Sequence, residues 1–91
     1  MTEQVRVLMY GTPYCSYCMA ARMLLKKKGV AFDEISVSGD TAMREQMEKL
    51  SGRRSVPQIF VGDQPVGGFD ELQSLDQDGR LDELLGRHES P

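Results

Sequence analysis

The spacing of apolar residues along this chain changes several times, and each change marks the edge of an element. The run Val5-Arg6-Val7-Leu8-Met9-Tyr10 predicts a strand over 5–10. The stretch Met19-Ala20-Ala21-Arg22-Met23-Leu24-Leu25-Lys26-Lys27-Lys28 is apolar and then basic, and predicts a helix over 16–28. Gly29-Val30 turns the chain. Residues 31–37 alternate in part and predict a second strand. Ser38-Gly39-Asp40 is a loop with Asp40 placed to cap a helix over 41–51. Met43, Met47 and Leu50 fall at spacings of four and three, which predicts one buried face on that helix. This half reads βαβα, and its first β-α-β unit should be parallel and right-handed.

The second half has a different rhythm. Pro57-Gln58-Ile59-Phe60-Val61 predicts a strand, and Gly62-Asp63 is a hairpin signal. Residues 64–67 form its short partner, with Pro65 suited to a sheet edge. Asp70 opens a helix over 70–75, where Asp70 and Gln73 resemble a capping box. A last helix over 80–85 ends at Gly86, and the polar tail from Arg87 to Pro91 is expected to fray. The methionine pairs Met19/Met23 and Met43/Met47 have helical spacing and are expected to fill gaps in the core.

Length and charge narrow the function. Ninety-one residues make one small domain, here 1–91, with no internal repeat or linker. The formal net charge is −3 and the only basic run is Lys26-Lys27-Lys28, which suits a helix C-terminus followed by a left-handed Gly29. That balance argues against a nucleic-acid partner. No apolar stretch approaches the ~18 residues of a membrane span. Met1-Thr2-Glu3-Gln4 is polar and acidic, unlike a signal peptide. With two cysteines and no export signal, the expected compartment is the reducing cytoplasm, or an organelle matrix if a targeting segment has been removed.

Both cysteines lie in Cys15-Ser16-Tyr17-Cys18, between the first strand and the first helix. A CxxC at such a junction is a redox pattern. Residues three apart on a helix have Cβ atoms roughly 5–6 Å apart, close enough for a small adjustment to close a disulfide. The first cysteine would also face the free N–H groups and positive dipole end of the helix, which favour thiolate. Two other readings stand beside this one. A structural disulfide would close too short a loop to constrain the unfolded chain much. A zinc site needs about four ligands, and the chain adds only His88 in its tail.

The order βαβα–ββα with CxxC leading the first helix is the thioredoxin-like arrangement. It implies an α/β fold with a four-stranded mixed sheet and helices on both faces. The first two strands should be parallel and the last two an antiparallel hairpin. Three segments then carry a closer resemblance: Cys15-Ser16-Tyr17-Cys18, Ser55-Val56-Pro57 and Gly67-Gly68-Phe69-Asp70. Together, and in this order, they resemble a dithiol glutaredoxin of the short bacterial type over about Val5 to Leu85.

That resemblance implies a glutathione-dependent thiol–disulfide oxidoreductase, acting as a monomer on protein disulfides and glutathionylated proteins. Cys15 would be the nucleophile and Cys18 the resolving thiol. Pro57, which taken alone reads more readily as a trans proline opening an edge strand, would beside the CxxC and Gly-Gly segments follow a cis bond. Val56 would then offer its backbone to an extended ligand beside Ser55. Gly68, Phe69 and Asp70 would hold the γ-glutamyl end of glutathione. Tyr17 would wall the site. Arg44, with Arg54 as a weaker candidate beside Arg53, would meet the glycine carboxylate. Two departures from the family pattern bear on this. Thr12 stands where a lysine is usual, which implies weaker glutathione binding or more reliance on Arg44 and Arg54. Ser16 stands where proline is usual, as in relatives that resemble cluster carriers. There two chains share a [2Fe–2S] cluster through each first cysteine and two glutathione thiols, giving the four ligands required.

Overall fold

The computed structural model describes residues 5–86. Its elements are β1 (Val7–Gly11), α1 (Ser16–Lys27), β2 (Asp33–Ser36), α2 (Thr41–Ser51), β3 (Gln58–Val61), β4 (Gln64–Gly67), α3 (Phe69–Gln77) and α4 (Arg80–Leu84). The strands form one sheet in the order β2-β1-β3-β4. β1 and β2 are parallel, with Leu8 opposite Asp33. β1 with β3, and β3 with β4, are antiparallel. This is the mixed α/β sheet expected from the element order, with the parallel pair first and the hairpin last.

Alternation along β1 and β3 assigns a core to each face. Val7, Met9, Ile59 and Val61 pack on one face against Ala21 and Leu25 of α1, Leu72 of α3 and Leu81 of α4. Tyr10 and Phe60 point to the other face, where Met47 of α2 and Val37 cover them. Their rings meet edge-on with centroids 5.8 Å apart, a favoured aromatic geometry. Helices therefore cover both faces.

Several local expectations change. The buried stripe of α1 is Cys18, Ala21 and Leu25, at spacings of three and four. Met19 and Met23 lie on the opposite side and are 53% and 68% exposed, so they do not fill the core. On α2, Met47 is buried and Met43 packs beside it, but Leu50 is 54% exposed in the last turn before the Gly52 cap. α3 begins at Phe69, not Asp70, because Gly67 takes φ 114° and Gly68 is the extended N-cap. The expected Asp70–Gln73 capping pair is replaced by Glu71, whose carboxylate accepts the Gly68 N–H at 2.8 Å. β1 starts and ends later than the apolar run. β2 is shorter than its run because its pairing with β1 begins at Asp33. Pro57, lacking an N–H, falls outside β3.

Other features agree. Asp40 caps α2 by accepting the Met43 N–H at 3.0 Å. The lysine run closes α1, with Gly29 at φ 70° just beyond it. Lys28 reaches Asp76 at 2.9 Å and Asp82 at 3.2 Å, tying the end of α1 to the other two helices on its face. The polar tail with His88, and Met1 to Gln4, lie outside the described residues.

Candidate active site

β1 is a central strand, and residues 12–14 carry the chain from its end to the start of α1. Cys15 is the N-cap of that helix, in extended conformation (φ −96°, ψ 123°). Its Sγ accepts the Cys18 backbone N–H at 3.4 Å, so the thiol takes the place of a capping side chain. Both cysteines are free; Cys15 is half-buried and Cys18 fully buried.

The two thiols are driven apart in acidity. At Cys15, burial alone would raise the thiol's pKa. The Cys18 N–H, the Cys18 thiol, the Tyr17 N–H and the Arg22 charge together outweigh it and hold the group below the ordinary thiol value. At Cys18, burial dominates and the neighbouring Cys15 adds to it, so the group is pushed up despite the Thr12 backbone and Arg22. One accessible, readily ionised sulfur beside one shielded, protonated sulfur is the division expected of an attacking and a resolving thiol. Gly11 makes room for the second: a Cβ there would stand 3.1 Å from Cys18 Sγ.

Sequence reasoning missed the cation of this site. Arg22 lies seven residues after Cys15 and four after Cys18, so helical spacing puts it beneath both. It donates to the Thr12 carbonyl at 2.9 Å and grips Glu34 of β2 with Nε at 2.7 Å and Nη2 at 2.6 Å. The two side chains are only 20% and 29% exposed, which sets this bidentate pair apart from a loose surface contact. Arg22→Met keeps the aliphatic stem and removes the charge. The expected result is a Cys15 titration displaced upward and severalfold slower alkylation at neutral pH, read from iodoacetamide rates across pH. An unchanged profile would show that the helix N-terminus alone sets the acidity.

Facing Cys15, the Val56 carbonyl oxygen stands 3.9 Å from Sγ, and the Val56–Pro57 peptide is cis. Buried Gln58 holds this turn by donating to the Ser55 carbonyl at 2.9 Å. Beside it opens a cleft of about 230 Å³. It is lined by Tyr17, Arg53, Ser55, Val56 and Pro57 together with Gly68, Phe69, Asp70 and Glu71 from the head of α3. The rings of Tyr17 and Phe69, both lining it, lie 6.5 Å apart. The structure thus gathers Tyr17, Ser55, Val56, Pro57, Gly68, Phe69 and Asp70 around one cleft, which meets Cys15 at the Val56 carbonyl. Arg44 and Arg54 line a separate hollow with Asp40 and Thr41. Arg44 donates to the Arg54 carbonyl at 2.8 Å, and Arg54 pairs with Glu48 at 2.9 Å. Arg53 is the arginine of the cleft. A larger hollow of about 510 Å³ between β4, α3 and α4 is lined by no residue of the CxxC or the cis-proline turn, whereas the smaller one is lined by Tyr17 and by Val56, whose carbonyl oxygen faces Cys15 Sγ, so the chemistry places the site there.

Glu71 organises the far wall. One oxygen accepts both the Gly68 N–H at 2.8 Å and Arg53 Nη1 at 2.6 Å. The Gly68 N–H, then Arg53, hold the carboxyl below its ordinary range. A carboxyl with a lowered folded-state pKa stabilises the fold above its unfolded value and loses that contribution as pH falls through the folded one. Glu71→Gln is therefore expected to cost about 0.5–1 kcal/mol at neutral pH, in the low range because the pair is partly solvated. Urea midpoints of the two proteins should converge in acid; a gap that persists there would reject the electrostatic account.

A free dithiol leading a helix at the end of a central strand, set against a cis-proline turn, defines a thiol–disulfide oxidoreductase of thioredoxin-like fold. The glutaredoxin family model matches residues 7–66. Glutaredoxin 3 of Escherichia coli strain K12 is 49% identical over 79 residues, which cover 87% of this chain and 95% of that protein. The solution structure of glutaredoxin from Brucella melitensis superposes with a TM-score of 0.82 at 42% identity, covering 97% of this chain and 98% of that one. The crystal structure of a buckwheat glutaredoxin–glutathione complex does so with a TM-score of 0.82 at 25% identity, covering 90% and 77%. This chain belongs to the glutaredoxin family.

Proposed function

We propose that the chain reduces glutathione mixed disulfides and protein disulfides with glutathione as the electron source. The observation that carries this reading is the juxtaposition of an acidified Cys15 thiol with a peptide-sized cleft that begins at the Val56 carbonyl. Cys15 attacks as thiolate. With a glutathionylated substrate, a bond forms between Cys15 Sγ and the glutathione sulfur, the original S–S bond breaks, and the substrate thiolate leaves and takes a proton from water. A second glutathione thiolate then attacks the glutathione sulfur held on Cys15, releasing oxidised glutathione and restoring the Cys15 thiolate. With a protein disulfide, Cys15 forms a mixed disulfide with one substrate sulfur. Cys18 loses its proton and attacks Cys15 Sγ, which frees that sulfur and leaves Cys15–Cys18 oxidised. Two glutathione molecules reduce it in turn.

The cleft has the donor set such a tripeptide needs. With the Gly68 N–H held by Glu71, the Phe69 and Asp70 N–H groups at the N-terminus of α3 suit the γ-glutamyl carboxylate, and the Asp70 carboxylate suits its ammonium. Val56 offers backbone groups to the cysteinyl unit. Arg53 faces the cleft and suits the glycine carboxylate. Arg44, through the Arg54 carbonyl, holds the turn that aims Arg53. The neighbouring glutaredoxin–glutathione complex supports the choice of ligand. Such chemistry belongs in a reducing compartment, for which we propose the cytoplasm.

The test is turnover of glutathionylated cysteine by the purified protein with glutathione, NADPH and glutathione reductase. Multiple turnovers that scale with protein concentration are expected. Stoichiometric release without recycling by glutathione would overturn the reading. A brown dimer after anaerobic purification with glutathione would favour cluster carriage by Cys15 instead.

A further inference from the structure

The exposed side of α1 is not an ordinary solvated helix face. Met19 and Met23 are more than half exposed there, and Lys26 and Lys27 follow, both exposed and without an ion pair among the described residues. At about 100° per residue, Lys26, Met19, Met23 and Lys27 fall within roughly 100° of arc. The stripe starts at the reacting atom, because Met19 is one turn from Cys15 and donates its N–H to the Cys15 carbonyl at 3.0 Å. With a rise of about 1.5 Å per residue, Met19 lies roughly 6 Å, Met23 roughly 12 Å and the lysines roughly 17 Å along the axis from Cys15. Fully exposed Tyr14 extends the apolar surface on the other side of Cys15.

We infer that this α1 stripe is a docking surface for protein substrates that carry apolar residues close to the target cysteine and acidic residues farther along. The inference rests on Cys15 being the nucleophile. Three observations select this occupant. The stripe is continuous with Cys15, so a chain that delivers its sulfur there, with glutathione in the cleft beside Val56, has a path past Met19. Methionine is a flexible, polarisable side chain that adapts to many apolar partners, which suits a reductase with varied substrates. The two unpaired lysines form a local basic patch on a chain of net charge −3, so acidic partners are favoured at the far end and basic ones are not. An extended segment advances about 3.3 Å per residue, which places apolar partners two and four residues from the cysteine and acidic ones at five and six. Small glutathionylated compounds do not reach the stripe.

A thirteen-residue peptide tests this in either chain direction. It carries a central S-glutathionylated cysteine, leucine two and four residues away on both sides, and glutamate five and six away. Its counterpart has lysine in place of glutamate. The wild-type protein should favour the glutamate peptide by about tenfold in kcat/KM at low ionic strength, and salt should shrink the gap. Lys26→Glu with Lys27→Glu should reverse the preference. Met19→Ser with Met23→Ser should lower kcat/KM for both peptides by about tenfold. Turnover of glutathionylated cysteine should be the same in all three proteins. Equal handling of the two peptides by wild type, or an unreversed preference in the lysine variant, would overturn the inference. The same ratios, read as binding of the unmodified peptides to Cys15→Ser protein by fluorescence anisotropy, need no turnover. A docking preference there without turnover of glutathionylated cysteine would sink the proposed function and leave the surface standing.

Discussion

Cys15→Ser should abolish turnover of every substrate, by at least about a thousandfold, while Cys18→Ser should spare turnover of glutathionylated cysteine. The asymmetry follows from the environments of the two sulfurs. Cys15 is accessible, caps the helix N-terminus and is ionised more readily than an ordinary thiol. Serine at that position is a far weaker nucleophile and its alkoxide is not accessible near neutral pH. Cys18 is fully buried beside Gly11 and has a raised pKa, so it does not begin the reaction. It is required only once a mixed disulfide has formed with a protein whose second sulfur must be released. Reduction of a protein disulfide should therefore fall sharply in Cys18→Ser, where the mixed disulfide waits for glutathione. The measurement is kcat/KM for both substrates in both variants. Equal losses in the two variants on the small substrate would contradict the division of labour.

The parts of this site that could be read in the sequence are those held by local pattern. The CxxC at a strand-to-helix junction, the Val56-Pro57 turn and the glycines before α3 are contiguous motifs, and each lies where its motif implied. Periodicity failed on α1, because Met19 to Leu25 is almost continuously apolar and does not select a face. The sheet selects it through Cys18, Ala21 and Leu25. Arg22 was within reach, since the i, i+3, i+7 relation of Cys15, Cys18 and Arg22 is legible on paper. Its partner Glu34 was not, because that contact depends on the register of β2 against β1. Adjacent Arg53 and Arg54 differ only in what the left-handed Gly52 cap does to the chain after it. One is turned into the cleft, and the other back toward Glu48. The start of α3 moved because the positive φ of Gly67 lets the helix begin earlier, with Glu71 rather than Asp70 completing the cap.

Leu72→Ala should be the most damaging change outside the dithiol, and its effect should fall on stability before chemistry. Leu72 is fully buried on α3, in the same cluster as Ala21 and Leu25 of α1, Leu81 of α4 and Ile59 of the sheet. Truncating a buried leucine removes its transfer free energy and leaves a cavity that neighbours fill only in part, at a cost of about 2–5 kcal/mol. A domain this small has roughly 5–15 kcal/mol to lose. Each kcal/mol lowers Tm by roughly 4–8 °C at this size, so a fall of about 8–40 °C is expected. Leu72 does not line the cleft, and it is Gly68 and Glu71 that shape it at the head of α3. Well below its Tm, the variant should therefore keep its KM for glutathionylated cysteine and its Cys15 alkylation profile. The readouts are thermal unfolding by circular dichroism and kinetics in the cold. A raised KM with near-normal Tm would mean that α3 is held by its N-terminal cap, and that packing beneath it sets the ligand geometry instead of the stability.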